Sequence, residues 1–235
     1  MATADVSQVA GLTEKLAEQA AAYSYRSLPV DAATVAKHCL LDFLGVTLPG
    51  AQEPLTEILR AEAYAEGGAP QASLIGSDQQ VTASQAALIN GSASHALDYD
   101  DVQMHLSGHP TVPVAPAILA LAEQHRLSGE QLIAAFVAGV ETECRIGAAV
   151  SPSHYQRGWH ATATIGTFGA AAAAANALGL DAAQTAMALG IAGTQAAGLK
   201  SMFGTMCKPF HAGRAAASGL MAARDRKSTR LNSSH

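Results

Sequence analysis

The sequence predicts an all-α protein, and three observations support that prediction. Its 235 residues are 49% hydrophobic but only 5% aromatic. A core of that composition must be built from Ala, Val, Leu and Ile, which favours closely packed helices over a sheet sandwich. Apolar residues recur at helical spacing between short turns. Three segments also have a Ser, Thr or Asp followed three residues later by Gln, the pattern of a helix capping box.

The predicted elements follow one another with little room for strands. The first three helices cover residues 5–23, a stretch from Pro29 through VAKHCLLDFLGV, and residues 53–66. Residues 71–82, QASLIGSDQQVT, are the only strand candidate, which is short and bounded by turn residues. The sequence therefore predicts a multi-helix, Ala-rich domain with very little sheet.

Later helices are predicted to begin at the capping boxes and after a proline. The boxes pair Thr82 with Gln85, Ser128 with Gln131, and Asp181 with Gln184. Residues 161–180 are uncharged and rich in Ala and Gly, which predicts a buried helix packed through small residues and not a membrane span. Pro209 is expected to break the chain before a last helix that begins near His211.

The end of the chain differs from the rest. After GLMAARD the apolar periodicity stops, and the last residues, RKSTRLNSSH, are polar and basic. They resemble a disordered tail or the translation of a sequencing-adapter read-through. We therefore predict a helical domain over residues 1–224 and a non-native or disordered segment over residues 225–235 with almost no contacts to it. The natural protein is expected to continue beyond residue 224.

Charge and cysteine usage narrow the possible functions. The net charge of −5 argues against a general nucleic-acid binder. Residues 154–214 nevertheless contain one acidic residue, Asp181, against four basic ones, which predicts a local anion site. Three scattered cysteines form no CxxC pair, so neither a disulfide framework nor a thiolate metal site is expected. The N-terminus also lacks the features of a signal peptide, and a cytoplasmic location is predicted.

Residues 95–111, HALDYDDVQMHLSGHPT, are the densest cluster of titratable groups. We predict that they begin at the end of a helix over residues 82–98. On such a helix His95 and Asp98 would share one face, as would Asp98 and Asp101, because each pair is three positions apart.

The loop that follows this predicted helix would return His105 and His109 to the same neighbourhood. Asp100, Asp101 and His105 are expected to be solvated loop groups, which is the ordinary state of charged side chains between helices.

Two further stretches contain groups suited to acid–base chemistry. In SPSHYQRGWH, residues 151–160, Trp159 is expected to shield His160 from solvent, and a neutral imidazole there is a reasonable acid or base. In KSMFGTMCKPFHAGRAA, the free N–H groups of the last helix, with Lys208, His211 and Arg214, would make a carboxylate receptor.

Together the three stretches contain carboxylates, imidazoles and ammonium groups, but no nucleophile elbow and no cysteine beside a histidine. Acid–base chemistry on an anionic substrate is therefore the predicted class. Removing a proton next to a carboxylate requires a base, a cation that holds the enolate-like charge, and an acid for the leaving group.

Four motifs in this order resemble the MmgE/PrpD family: HALDYDD–HPT, GWHATATIGTFGAAAAAA, ALGIAGTQAAGL and GTMCKPFHAGRAA. The resemblance extends over about residues 8–224. It implies a large helical domain followed by a smaller α/β lid domain that is missing here, commonly in a homodimer. It also implies catalysis without a metal or an organic cofactor. The family includes 2-methylcitrate dehydratase, cis-aconitate decarboxylase and iminodisuccinate epimerase.

The resemblance assigns catalytic roles to Asp98, His109, His160 and Lys208, with substrate binding by His211 and Arg214 expected from the cationic cluster. We expect the four catalytic side chains to meet in one cleft, within about 10–12 Å of one another. Where the decarboxylases of the family have a threonine, this chain has Val102, which disfavours decarboxylation. The family's later lysine, histidine and tyrosine would lie beyond residue 224.

The predicted function is therefore a lyase or isomerase of a small di- or tricarboxylate, most simply a dehydratase of the 2-methylcitrate type. Two alternatives remain open. One is a metal-dependent helical hydrolase with His95, Asp98 and His109 as ligands. The other is an inactive truncated fragment that only oligomerises through its Ala-rich faces. Because the later catalytic residues would be missing, the 235-residue chain alone is expected to be inactive.

Overall fold

A computed structural model describes residues 11–228, with side chains described through residue 225. More than half of these residues are helical, so the all-α prediction is confirmed. The α-helices are α1 (Leu12–Ala22), α2 (Val30–Gly50), α3 (Pro54–Glu66), α4 (Ala83–Ser94), α5 (Thr111–His125), α6 (Gly129–Val150), α7 (Ser153–Gln156), α8 (Ala161–Thr164), α9 (Gly166–Ala177), α10 (Ala182–Gly193) and α11 (Cys207–Ser228). Single 3₁₀ turns cover Tyr25–Ser27 and Lys200–Met202.

The sheet is one two-stranded antiparallel hairpin, β1 (Ala72–Ser73) and β2 (Gln80–Val81), within the predicted strand region. Asn90 of α4 fixes it to the helices: its Nδ2 donates to the Ser73 carbonyl at 3.0 Å, and its Oδ1 accepts from the Ile75 N–H at 3.0 Å. Such a short hairpin depends on these helix contacts for its stability.

All three predicted capping boxes are present at the starts of α4, α6 and α10. The side chains of Thr82, Ser128 and Asp181 each accept a hydrogen bond from the N–H of the glutamine three residues later. Each glutamine side chain in turn accepts from the backbone N–H of its capping residue. These helices therefore begin where local sequence satisfies their free N–H groups.

Two predicted helix boundaries are wrong. The helix expected over residues 82–98 ends at Ser94, because His95 leaves helical geometry and Asp98 adopts a left-handed backbone with φ of 58°. The three-residue spacing of His95, Asp98 and Asp101 therefore does not place them on one helix face.

The last helix begins at Cys207 and not near His211. Pro209 is its third residue, where a proline is tolerated because the N–H groups of the first turn have no partner within the helix. The proline therefore lies inside the first turn of α11 and does not precede the helix. Lys208 and His211 consequently lie on the same helix, one turn apart.

The centre of the fold is built from alanine. Residues 170–175 of α9 are all alanines with 0% exposure, packed among α5, α6, α10 and α11. The prediction of a buried helix packed through small residues is confirmed. The alternative that these Ala-rich faces serve only for oligomerisation is wrong for α9, because that surface is already buried within the chain. Within residues 11–228, no helix is both long and apolar enough to cross a bilayer.

Helices α4 and α11 cross at a pair of glycines. A Cβ on Gly213 of α11 would overlap the Leu88 carbonyl oxygen of α4, and one on Gly91 would lie 2.8 Å from the Gly213 Cα. Without side chains at these two positions the backbones can touch. The crossing brings the first turn of α11 close to the C-terminal end of α4.

The prediction for residues 225–235 falls almost entirely outside the residues whose side chains are described. The backbone of α11 continues to Ser228, and residues 229–235 are not described.

The helix crossing makes a testable prediction about stability. Gly213→Ala is expected to lower the free energy of unfolding by about 1–3 kcal/mol, because the new methyl group must displace backbone atoms of α4. Gly45→Ala on α2 is the matched control, since nothing lies within 4 Å of its added Cβ. It should stabilise the protein by about 0.5–1 kcal/mol through better helix propensity. Urea denaturation followed by circular dichroism measures both, and two shifts of the same sign would contradict the packing argument.

Candidate active site

Three separate segments meet beside the first turn of α11. They are the loop that follows α4, residues 155–162 around the turn into α8, and residues 203–208, which lead into α11. Asp98, His109, His160 and Lys208, which were expected to converge, all line one cavity of about 440 Å³. A cavity of this size suits a small organic ligand.

Two contacts fix the middle of the loop between α4 and α5. Leu106 is completely buried and packs against Ala161 and Ile165. The Gln103 N–H donates to the Gly108 carbonyl at 3.0 Å, which closes the loop on itself. These contacts hold the loop in place and leave its acidic and imidazole groups facing the cavity and the core.

Asp101 joins this loop to the start of α5. Its Oδ2 accepts from Thr111 Oγ1 at 2.5 Å, and its Oδ1 accepts from the Thr111 N–H at 3.2 Å. A carboxylate there is also favoured by the positive end of the helix dipole. Even so, burial dominates and the pKa of Asp101 is raised; the nearby acidic Asp100 contributes in the same direction, against the Thr111 hydrogen bonds.

The expectation that Asp100 and Asp101 are solvated is therefore wrong. Asp100 is only 5% exposed, and Asp101 is partly buried against α5. Because α4 ends early, the acidic run turns inward between α4 and α8 and does not continue along a helix surface. His105, by contrast, is exposed as expected.

Asp100 lies between two imidazoles. Its Oδ2 is 2.9 Å from His95 Nδ1 and 2.9 Å from His109 Nδ1. The contact to His109 is as short as that to His95 but less well aligned. We call His95, Asp100 and His109 the imidazole–carboxylate cluster. Asp98 extends it, since its Oδ1 is 3.7 Å from His109 Nε2.

The cluster favours the charged form of His109. Burial alone would lower the pKa of His109, but the hydrogen bond and charge of Asp100 outweigh it, and the pKa is raised. Burial likewise would raise the pKa of Asp100, but the hydrogen bonds and charges of His109 and His95 lower it overall. Each partner therefore favours the ionised form of the other.

His160 is in the opposite electrostatic situation. It is 2% exposed, and its backbone N–H donates to the Gly198 carbonyl at 3.1 Å at the start of α8. Burial, followed by the charges of His95, His211 and Lys208, lowers its pKa to about 2. The His160 imidazole is therefore neutral at ordinary pH.

Aromatic contacts around His160 differ from those expected. Trp159 does not shield it; that indole is 40% exposed and stacks on His154 at 6.0 Å between ring centroids. Phe203 shields the His160 imidazole instead, edge-on with 4.9 Å between ring centroids. His95 stacks on the same imidazole at 5.7 Å.

The expected carboxylate receptor is only partly assembled. Lys208 Nζ lines the cavity and forms an ion pair with Asp98 Oδ1. His211 lies behind His160, with 3.1 Å between their Nδ1 atoms. Arg214 is exposed and does not line the cavity, because six helical positions turn it by roughly 120° from Lys208.

Sequence reasoning missed several residues at this cavity, and two of them contact its histidines. Phe203 and Thr162 both line it, and Thr162 Oγ1 accepts from the His109 N–H at 3.1 Å. Neither residue type signals a site by itself, and nothing in local sequence links Thr162 to a residue 53 positions away.

The side chains that could bind a metal ion lie close together, but they already pair with one another and with Lys208. Donor atoms of His95, Asp98, Asp100 and His109 lie within 4.8 Å of one another. Asp100 already pairs with both imidazoles, and Asp98 pairs with Lys208. An ammonium group in contact with one of the carboxylates repels a bound cation, so the arrangement is better suited to an anionic ligand.

The fold and the cavity define an all-helical domain with a candidate acid–base site for a small anion. The chain belongs to the MmgE/PrpD family, since residues 14–225 match the family's N-terminal domain, described as "MmgE/PrpD N-terminal domain". The resemblance seen in the sequence motifs is thus confirmed.

Several curated relatives are named for cis-aconitate decarboxylase. The chain is 32% identical over 234 residues to the cis-aconitate decarboxylase-like protein oryM of Aspergillus oryzae, covering 95% of this chain and 48% of the relative. It is 33% identical over 228 residues to cis-aconitate decarboxylase of Aspergillus terreus, covering 93% and 46%. The human cis-aconitate decarboxylase is 36% identical over 151 residues, 62% of this chain and 31% of the relative. The chain thus spans about half the length of the two fungal relatives.

The neutral state of His160 makes a prediction about pH and stability. Its pKa is about 2 in the folded chain and about 6.5 when unfolded. Between these values only the unfolded state binds the proton, so this histidine lowers stability by about 1.4 kcal/mol per pH unit as the pH falls below 6.5. His160→Gln should remove that part of the slope, measured by urea denaturation from pH 6.5 to 4.5.

His105→Gln is the control for this measurement, because His105 is exposed. It should keep the wild-type pH dependence. If His160→Gln and the wild type lose stability in parallel over this range, His160 takes up a proton in the folded state and its neutral assignment fails.

Proposed function

We propose that this domain belongs to a lyase that acts on a small di- or tricarboxylate by acid–base proton abstraction. The observation that supports the proposal is that two histidines with opposite preferences for the proton share one cavity with an ammonium group. The pKa of His109 is raised, that of His160 is lowered, and both line the cavity beside Lys208. Neighbouring groups whose pKa values are displaced in opposite directions are the mark of paired acid and base roles.

In the proposed mechanism Lys208 binds a substrate carboxylate. Its ammonium is held by Asp98 in the unliganded chain, so the substrate carboxylate replaces or joins Asp98 there. Lys208 then stabilises the negative charge that builds up on this carboxylate when the neighbouring carbon loses its proton.

His160 and His109 have complementary roles in proton transfer. Neutral His160 accepts the proton from carbon, and the electron pair that is released enters the enediolate of the adjacent carboxylate. Protonated His109 donates its proton to the leaving hydroxyl group, and a carbon–carbon double bond forms as water departs. The negative charge of a bound substrate favours protonation of His160 and so opposes the effect of its burial.

The particular reaction is a choice between two lyase chemistries. Dehydration of a 2-methylcitrate-like substrate needs only the base, cation and acid described above. Decarboxylation is favoured by the names of the relatives, whereas Val102, which lines the cavity and is 63% exposed, gives that position no hydrogen-bonding group. We retain dehydration as the leading proposal. Assays of water loss and of CO₂ release on 2-methylcitrate and cis-aconitate distinguish the two.

The activity is tested on the product of the complete reading frame, since the family's later catalytic residues are expected beyond residue 224. The homodimer and the cytoplasmic location implied for the chain stay predictions.

A metal-dependent hydrolase, the second candidate, would instead lose its activity on treatment with a chelator and regain it with a divalent metal.

Steady-state kinetics should separate the roles of Lys208 and His160. Lys208→Ala should raise KM markedly and also lower kcat, because a carboxylate is held in both the ground state and the transition state. His160→Ala should lower kcat by roughly 10²–10⁴ with KM nearly unchanged, because proton transfer matters only in the transition state.

Circular dichroism of both variants checks that the fold is retained, and Gly45→Ala provides a substitution remote from the cavity. Near-normal kcat in His160→Ala would show that His160 is a packing residue, and the proposed mechanism would lose its base.

A further inference from the structure

We propose that Asp100 is a positioning residue that fixes the ring orientation and the tautomer of His109, with His95 as its second partner. The inference deepens the proposed function and rests on it only for the kinetic consequence. Asp100 itself does not line the cavity. It therefore acts through His109 and not on the substrate.

The first step of the argument is chemical. An ionised carboxylate can only accept hydrogen bonds, so each ring nitrogen that faces Asp100 must bear the hydrogen. Both His95 Nδ1 and His109 Nδ1 lie 2.9 Å from Asp100 Oδ2. The His95 contact is a hydrogen bond and the His109 contact is an ion pair of poorer alignment. We infer that both imidazoles are Nδ1-protonated, which leaves the Nε2 atom of His109 to exchange its proton with a ligand.

The second step is geometric. His109 Nε2 is on the side of Asp98, 3.7 Å from its Oδ1, and both residues line the cavity. Nδ1 of His109 and the backbone N–H of the same residue are held by Asp100 and Thr162. The ring is thus fixed from behind, and the free nitrogen points towards the ligand side.

The third step concerns rigidity. His95 is 1% exposed, lies edge-on to the His109 ring at 4.6 Å and stacks on His160 at 5.7 Å. Asp98 is unsuited to the same task, since its side chain is 55% exposed and pairs with Lys208. The oblique alignment of the His109 contact is common in unliganded enzymes and tightens on substrate binding.

Asp100→Asn is the sharpest substitution because it keeps the shape and reverses the hydrogen-bonding sense. An asparagine has no charge and only one acceptor oxygen, and when its amide nitrogen takes the place of Oδ2 it directs N–H donors at both rings, which then favour the other tautomer. A positioned carboxylate behind a catalytic histidine loses its effect in this way when it becomes an amide.

The direct test is nitrogen-15 NMR of histidine side chains in the 235-residue chain. In the wild type, at a pH high enough for both rings to be neutral, His95 and His109 should both show protonated Nδ1 and unprotonated Nε2 signals. In Asp100→Asn the Nδ1–H form should lose population in at least one ring, whereas Asp101→Asn, which alters the neighbouring carboxylate at Thr111, should leave both unchanged. A wild-type His109 with Nε2–H and bare Nδ1 overturns the inference, even if Asp100→Asn does not fold.

The kinetic test uses the product of the complete reading frame. Asp100→Asn should lower kcat by roughly 10- to 100-fold and leave KM within about twofold, as expected for a residue that orients a proton donor. Normal kcat with an altered tautomer would refute the positioning role. Absence of wild-type activity on every carboxylate tried would refute the proposed function instead, and the NMR result would still decide the tautomer.

Discussion

The structure depends on how closely helix backbones can approach. An interior made of alanine, with glycines at the α4–α11 crossing, gives up large side chains and gains contact between main chains. Dispersion contacts of this kind are individually weak but numerous, and a single added methyl group has no space to enter. The geometry of the candidate site depends on the same constraint, because Lys208 and His211 lie at the start of α11 and His95 directly follows α4.

The site is a set of unequal electrostatic environments within one cavity. Asp100, buried in contact with two imidazoles, is a fixed negative charge that favours the protonated form of His109. His160 is buried beside imidazoles and Lys208, and both the burial and these neighbours lower its pKa. The difference between two chemically identical side chains therefore comes from which of them touches the carboxylate.

Much of the fold could be predicted because the determining contacts are local. A capping box involves residues three positions apart, and the Ala-rich period of α9 is contained in one segment. The site was less predictable because its contacts join distant segments. The burial of Asp100 depends on a loop anchored by Leu106 and on Thr162 behind His109, and neither relation is visible in the HALDYDD motif.

Under the proposed function, the ion pair between Asp98 and Lys208 would also influence which anions enter. A tethered carboxylate next to the ammonium acts as an internal competitor at high effective concentration. Chloride or a simple monocarboxylate must displace it with a single charge and gains little. A ligand with two or three carboxylates can occupy Lys208 and still leave charge to interact with protonated His109. In the proposed lyase the resting pair would thus select against the small monovalent anions that are abundant around any protein.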